Sequence, residues 1–159
     1  MRYWQRRSAA RQSSVVREKR TMTPEQQKDI VRLRRYIFRE GLVSVMNNTK
    51  WVAAINALAS IQGYQPRFRV KCVRDPEFLD TSWDTSFPWH IPTFVHIERL
   101  EVNPIMVKPC GKLASPIQTN FTPAIKLALE SAHVPFLEAN GIIKIVGYMR
   151  SKPQSDQRQ

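Results

Sequence analysis

The chain contains few of the residues from which recognisable catalytic and ligand-binding motifs are built. Its 159 residues include five glycines, three histidines and two cysteines. There is no P-loop, no Rossmann glycine pattern, no H-E-x-x-H pair and no nucleophile elbow. We therefore expect a protein that is not an enzyme, with no catalytic residues, no metal site and no cofactor.

Long apolar runs are also absent. No stretch approaches the roughly twenty apolar residues needed to cross a bilayer, and the N-terminus lacks the apolar region of a secretory signal. We expect a cytoplasmic protein that has no membrane partner and keeps Cys72 and Cys110 reduced.

Positive charge is concentrated at one end of the chain. The formal net charge is +12, and residues 1–45 hold twelve of the 25 Lys/Arg against four acids. Residues 1–21 contain seven Lys/Arg and one acid, without a helix cap or an apolar period. Such a segment cannot offset the entropy of ordering itself, so we expect a disordered basic extension over 1–21, one domain over 22–150 and a disordered tail over 151–159. The extension also fits an amphipathic transit peptide, or a stretch that precedes a working start at Met22.

Three helices are predicted from N-terminal signals and apolar periodicity. Thr23-Pro24, Asn47 to Thr49 and Thr122-Pro123 supply the caps. The first helix should run from Pro24 to about Glu40, the second should end before Gly63, and the third should stop before Val134-Pro135.

Strands are predicted where the period changes to two. Residues 67–72 form one, with a cationic face, and residues 94–102 form another. If this second strand has no bulge, one of its faces carries Phe94, His96, Glu98, Leu100 and Val102. Asn140-Gly141 predicts a terminal hairpin between 136–138 and 142–150, while 103–121 is predicted to be irregular. The expected fold class is α+β: a small, mainly antiparallel sheet with three helices and a flexible basic N-terminal extension.

The connection over 78–93 is rich in aromatic side chains. Aromatic residues on loops often close small cores, and they also serve as anchors in binding surfaces. The mixed charges around them suit a protein partner, for which the predicted binding residues are Trp83, Asp84, Trp89 and His90.

The alternative partner is nucleic acid. Two sets of cations would form its electrostatic groove, one on the first strand and one on the first helix: Arg67, Arg69, Lys71, Arg32, Arg35 and Arg39. A basic helix ridge is also typical of a solvated face, and no RNP1 or GXXG motif accompanies these residues.

His96 and Glu98 are the remaining candidates for chemistry. Two residues apart on one strand face, they have the spacing of a metal-ligand or acid/base pair. We favour the simpler interpretation of a hydrogen-bonded histidine and a surface glutamate, because no catalytic motif accompanies them.

Five segments in order along residues 41–150 resemble a known family: MNNTKW (46–51), PRFRVKCVRD (66–75), SWDTSFPWH (82–90), IERLEV (97–102) and NGIIKIVGYMR (140–150). That bacterial family is catalogued as domain of unknown function 6678. The resemblance implies a bacterial interaction protein without a characterised activity, of the kind suspected to neutralise toxins as immunity proteins. We therefore expect a macromolecule-binding protein whose partner is a protein, such as a toxin.

Overall fold

The computed structural model describes residues 22–77, 82–110 and 115–151. The predicted extension 1–21 and residues 152–159 of the predicted tail lie outside the described residues. The secondary structure elements, in chain order, are α1 (Pro24–Arg39), β1 (Leu42–Ser44), α2 (Asn48–Ala59), β2 (Arg67–Cys72), β3 (Ile97–Asn103), β4 (Ile105–Lys108), β5 (Ile117–Asn120), α3 (Thr122–Ser131), β6 (Leu137–Ala139), β7 (Ile142–Val146) and β8 (Tyr148–Arg150). The α+β class with three helices and antiparallel strand pairs is as predicted.

Local capping explains where the helices begin. At α1, Thr23 Oγ1 accepts the Gln26 N–H and Gln26 Oε1 accepts the Thr23 N–H, which together form a capping box. At α2, Asn47 Oδ1 accepts the Lys50 N–H at 2.8 Å. At α3, Phe121 occupies the N-cap position, one residue earlier than predicted, and its side chain makes no capping hydrogen bond.

The central sheet has the strand order β2-β3-β7-β6, and all its pairs are antiparallel. Its inner face joins α2 and α3 in one core of buried apolar side chains, which includes Phe68, Leu100 and Ile145 from the sheet. The helices contribute Trp51, Leu58 and Leu129 to the same core. The opposite face carries the charged side chains of β2, β3 and β7 described below.

A bulge on β3 changes the predicted alternation. In the strand register Lys71 is opposite Arg99 but Cys72 is opposite Ile97, so Glu98 is an extra residue with no position opposite it in the β2 ladder. The shift lets Ile97 and Leu100 both point into the core, where both are fully buried. The prediction that a strand begins at Phe94 was wrong, since Phe94–His96 forms a short 3₁₀ turn.

Two other strand predictions need correction. Residues 103–121 contain the β4–β5 ladder, which runs from the Ile105–Asn120 pair to the Lys108–Ile117 pair, and are therefore not irregular throughout. The strand predicted over 142–150 is divided at Gly147, after which β8 leaves the central sheet and pairs with β1. The predicted turn is confirmed, because Asn140 and Gly141 both have positive φ and Ala139 pairs with Ile142.

Two further features bear on function. The N–H and the hydroxyl of Ser151, the first residue of the predicted tail, both donate to the carbonyl of Gly41. No helix in the described ranges combines the length and the apolar character that a membrane span requires.

Candidate functional site

The aromatic loop, defined here as residues 82–91, runs along the outer edge of β2. Phe68 and Asp84 exchange two backbone hydrogen bonds, of 2.9 Å from Phe68 N to Asp84 O and 2.8 Å from Asp84 N to Phe68 O. The loop therefore covers the strand edge at this point and is itself fixed to the sheet. An edge without such cover exposes unpaired backbone groups.

The inner side chains of the aromatic loop belong to the core. The ring of Phe87 packs edge-on against that of Phe68, with 5.4 Å between centroids. Ile91 is buried in the main core. Between them the loop turns tightly, and Trp89 N donates to Ser86 O at 2.8 Å. These contacts anchor the middle and the C-terminal end of the loop.

Asp84 holds the turn together from inside the loop. Its carboxylate accepts the Ser86 N–H at 2.7 Å, and its second oxygen lies 2.6 Å from His90 Nδ1. The hydrogen bond from the Ser86 backbone, followed by that from His90, lowers the pKa of Asp84 below its ordinary value. Asp84 and His90, two of the four predicted binding residues, are thus in direct contact.

The two tryptophans of the loop differ in exposure. Trp83 is half-buried, and the guanidinium of Arg69 lies 4.7 Å from the centroid of its ring. Trp89 is 77% exposed, which is unusual for so large an apolar side chain. The loop therefore presents Trp89 and the exposed His90 to solvent, while Trp83 packs beside β2.

The charged face of the central sheet is organised around one buried carboxylate. Glu101 is 1% exposed and contacts three cations, Arg69 at 2.8 Å, Arg99 at 2.9 Å and Lys144 at 3.2 Å. Burial alone would raise the pKa of Glu101, but hydrogen bonds from Arg69 and Lys144 and the charges of these cations outweigh burial and lower it. We call this group the Glu101 cluster.

The Glu101 cluster and its neighbours engage most of the predicted basic strand. Arg69 belongs to the cluster, and Lys71, whose side chain is 8% exposed, is paired with Glu98. Arg67 is half-buried. The strand face therefore meets solvent with much less free positive charge than its sequence suggested, because β3 supplies the matching carboxylates.

The predicted basic ridge on α1 has a different environment. Arg32, Arg35 and Arg39 are all exposed. Arg39 is paired with Glu40 at 3.2 Å and lies over the Tyr36 ring. The ridge and the strand cations thus differ in accessibility, and the helix retains the more accessible positive charge.

His96 and Glu98 are engaged with different partners. His96 Nε2 lies 3.7 Å from Asp29 of α1, and Glu98 is paired with Lys71. Across the described ranges, no three His, Cys, Asp or Glu side chains are grouped to hold a metal ion. The arrangement provides polar contacts between elements, and His96 and Glu98 do not contact each other as an acid/base pair.

An open groove of about 500 Å³ lies at the N-terminal end of α2. Several of its polar groups are already paired within the chain: Ser44 Oγ donates to Met46 O, and Tyr148 OH donates to Val95 O. Asn47 Oδ1 is occupied by the helix cap. The polar lining of the groove is therefore used partly within the chain, and Asn48 and Thr49 complete it.

Sequence reasoning missed Glu101 and the exposed apolar residues of α1. Glu101 lies directly opposite Arg69 on β2 and Lys144 on β7, so the pairing could be found only once the strand register was known. Phe38 is 89% exposed. The signal for Phe38 was available, because the apolar residues Ile30, Leu33 and Ile37 share one face of the first helix and Phe38 lies outside that face.

Comparison with known proteins identifies a family and nothing more specific. No curated protein and no solved structure matches the chain. A model of a family of unknown function, DUF6678, matches residues 33–152, which contain the aromatic loop, the Glu101 cluster and all the strands described above. Since the match covers more than half of the 159 residues, the chain belongs to the DUF6678 family.

Proposed function

We propose that this chain is a non-enzymatic binding protein and that the aromatic loop is its docking surface for a protein partner. In the most specific form of the proposal, the chain is a bacterial, cytoplasmic immunity-type protein that neutralises a toxin by binding it. Trp89 and His90 make the direct contacts, while Asp84 and Trp83 hold the loop in position.

The exposure of Trp89 on an anchored loop is the observation that carries the proposal. Tryptophan is the residue most enriched among the few side chains that dominate binding energies at protein interfaces. At 77% exposure, Trp89 is not needed to close the core, a task that Phe87 and Ile91 perform from the same loop. A partner that covers Trp89 would remove its large apolar ring from water, which favours binding.

The anchoring of the loop supports the proposal further. Two backbone bonds to Phe68 and the carboxylate of Asp84 fix the loop before any partner arrives. A preorganised anchor loses less conformational entropy on binding than a mobile one, which strengthens affinity without additional contacts.

Catalysis is not part of the proposal. The aromatic loop does hold one His–carboxylate contact, between His90 and Asp84, but Asp84 also accepts the Ser86 N–H, so we assign this pair to the structure of the loop and not to acid/base chemistry. His96 and Glu98 contribute to the packing of α1 and β2 on β3.

The experiment is a pull-down from a bacterial lysate with the tagged full chain. The matched pair of variants is Trp89→Ala in the loop and Leu127→Ala on α3, where Leu127 is 66% exposed. We expect one protein to be retained in stoichiometric amount, to be lost with Trp89→Ala and to be kept with Leu127→Ala. Equal retention by both variants, with thermal unfolding unchanged, would assign the binding surface elsewhere.

Nucleic-acid binding is the second candidate, and the accessible arginines of α1 favour it. It predicts a steep fall in affinity with salt, and a uniform loss across sequences when Arg32, Arg35 and Arg39 are changed to glutamine. Of the predicted strand cations, Arg69 and Lys71 are paired within the fold, so among the predicted residues those of the helix are the more accessible for this role. Absence of binding to single- or double-stranded nucleic acid at low salt removes this candidate.

A further inference from the structure

The outer face of α1 carries exposed apolar side chains. Phe38 is 89% exposed and Val31 is 47% exposed. They are seven residues apart, so they lie within about 20° of each other around the helix axis. Leu33, on the opposite side, is 1% exposed. The helix is therefore apolar on two faces, of which only one is buried in the fold.

Cations border this outer strip. At 100° per residue, Arg34 lies on one side of Val31 and Phe38, and Lys28 and Arg35 lie on the other. All three are exposed. Over its length α1 has five Lys/Arg against two acids, and one of the acids, Asp29, is paired with Arg74 at 3.2 Å. The face thus combines a narrow apolar centre with positive flanks.

A second exposed apolar pair follows directly in the chain. The Gly41 N–H donates to Phe38 O at 3.1 Å and closes the turn into β1. Two residues later Val43, which is 53% exposed, pairs across the strands with Met149, which is 57% exposed. The β1–β8 pair, whose first strand follows α1 in the chain, thus adds two large apolar side chains that meet water.

We propose that the α1 outer face, with Val43 and Met149, docks on the surface of an anionic lipid bilayer. Apolar side chains between Lys and Arg are the pattern of helices that lie in the interface of a membrane, with the apolar groups below the headgroups and the cations at the phosphates. Residues 1–21, which lie before α1 in the sequence, contain seven Lys/Arg and one acid and so add positive charge to this end of the chain. The proposal departs from the sequence expectation of no membrane partner, which rested on the lack of a spanning segment.

Other occupants fit the face less well. A second copy of the chain would bring five cations of one α1 against five of the other. A nucleic-acid backbone would use the cations but would leave Phe38, Val43 and Met149 without an apolar partner. An anionic bilayer satisfies both the charge and the apolar area.

The test measures sedimentation of the full chain with lipid vesicles. One set of vesicles is phosphatidylcholine alone, and in the other about a third of the lipid is phosphatidylserine. The apolar variant is Val31→Ser with Phe38→Ser, the charge variant is Arg34→Gln with Arg35→Gln, and the control is Leu127→Ser with Ile117→Ser. The control positions are 66% and 58% exposed on other elements, so the loss of exposed apolar surface is matched. Circular dichroism verifies that every variant is folded.

We expect the wild type to bind the anionic vesicles at least tenfold more tightly than the neutral ones. The affinity of the apolar variant should be about tenfold lower. Withdrawing a Phe side chain from an apolar phase costs enough free energy to lower the affinity by at least that factor. The charge variant should lose tenfold or more, and the control should bind as the wild type does.

Three results would overturn the proposal. These are no sedimentation with anionic vesicles at low salt, equal binding to both lipid compositions, and full retention of binding by the apolar variant. Tight binding to a DNA duplex that only the charge variant weakens, without vesicle binding, would assign the face to nucleic acid instead.

Discussion

Gly147 links β7 to β8, and its replacement by alanine should be severely destabilising. Its N–H donates to Glu98 O at 2.7 Å, and its carbonyl accepts the Val45 N–H at 2.9 Å. A Cβ at this position would lie 2.2 Å from the carbonyl oxygen of Ile97 and 2.9 Å from Cζ2 of Trp51. Neither neighbour can move easily, because one is backbone in the central sheet and the other is buried core.

The magnitude follows from the geometry. The strands must separate by about 1 Å to restore ordinary van der Waals contact, and a shift of this size disrupts the bond to Glu98. Overpacking a core costs about 1–3 kcal/mol, and a lost buried hydrogen bond adds about 1 kcal/mol. We expect a loss of about 4 kcal/mol, which lowers the urea midpoint by about 2 M at an m-value of about 2 kcal/mol/M.

The assay is equilibrium urea unfolding followed by tryptophan fluorescence, with buried Trp51 as a reporter. Gly63→Ala and Gly141→Ala are the controls, because both glycines have positive φ and a Cβ there meets nothing within 4 Å. Each control should cost only about 1 kcal/mol of left-handed backbone strain. If Gly147→Ala costs no more than these two, the close approach of β3 to Gly147 is not a determinant of stability.

Two substitutions and one labelling experiment test other parts of the structure. Glu101→Gln should lower the free energy of unfolding at pH 7 by about 3 kcal/mol, because its cations lose their buried partner. Folding lowers the pKa of Glu101, so the wild type has this stability at pH values above the ordinary pKa of 4.5 and loses it as the pH falls through the folded-state pKa. The free energy of unfolding of Glu101→Gln should therefore fall less steeply with decreasing pH than that of the wild type. Equal slopes would contradict the stabilising role of the Glu101 carboxylate. Asp84→Asn should speed amide hydrogen exchange at Ser86 and Trp89 without changing the thermal midpoint much, and unchanged exchange would mean that Asp84 does not hold the loop. Burial, followed by the charge of Asp75, raises the pKa of Cys72 to about 11. Alkylation of Cys72 at pH 8, followed by mass spectrometry, should therefore be roughly a hundredfold slower than that of an ordinary thiol. Labelling of Cys72 at the rate of an ordinary thiol would contradict this environment.

The features that sequence predicted well depend on neighbouring residues. The capping box of Thr23 and Gln26 spans three positions, and the Asn140-Gly141 turn depends on the φ preferences of two residues. β2 was predicted with its observed bounds because cationic and apolar residue types alternate in the sequence from Arg67 to Cys72. Such signals need no knowledge of the rest of the fold.

The features that sequence missed depend on distant contacts. β1 has three residues, and its partner β8 lies more than a hundred positions away. All four residues of β5 are exposed, so no apolar alternation marked it as a strand. The 3₁₀ turn over Phe94–His96 delays the start of β3 to Ile97, and the bulge at Glu98 shifts the period of β3, so the predicted strand face was wrong at these positions.

In the candidate site, too, some features could be predicted from neighbouring residues and others depend on distant contacts. Composition directed attention to the loop with Trp83 and Trp89, but nothing in the sequence distinguishes their exposures. That difference arises from the backbone bridge between Phe68 and Asp84 and from Arg69, which lies over Trp83. The cationic strand face was likewise predicted from alternation, while its neutralisation by Glu101 required the register of β3 against β2.

The dissociation constant of the captured partner is the most direct test of the aromatic loop as the docking surface. Isothermal titration should show that Trp89→Ala raises this constant by about thirtyfold or more, which is the loss of about 2 kcal/mol expected of a central anchor. Leu127→Ala should leave it within about threefold. A partner that binds Trp89→Ala and the wild type with equal affinity would contradict the account.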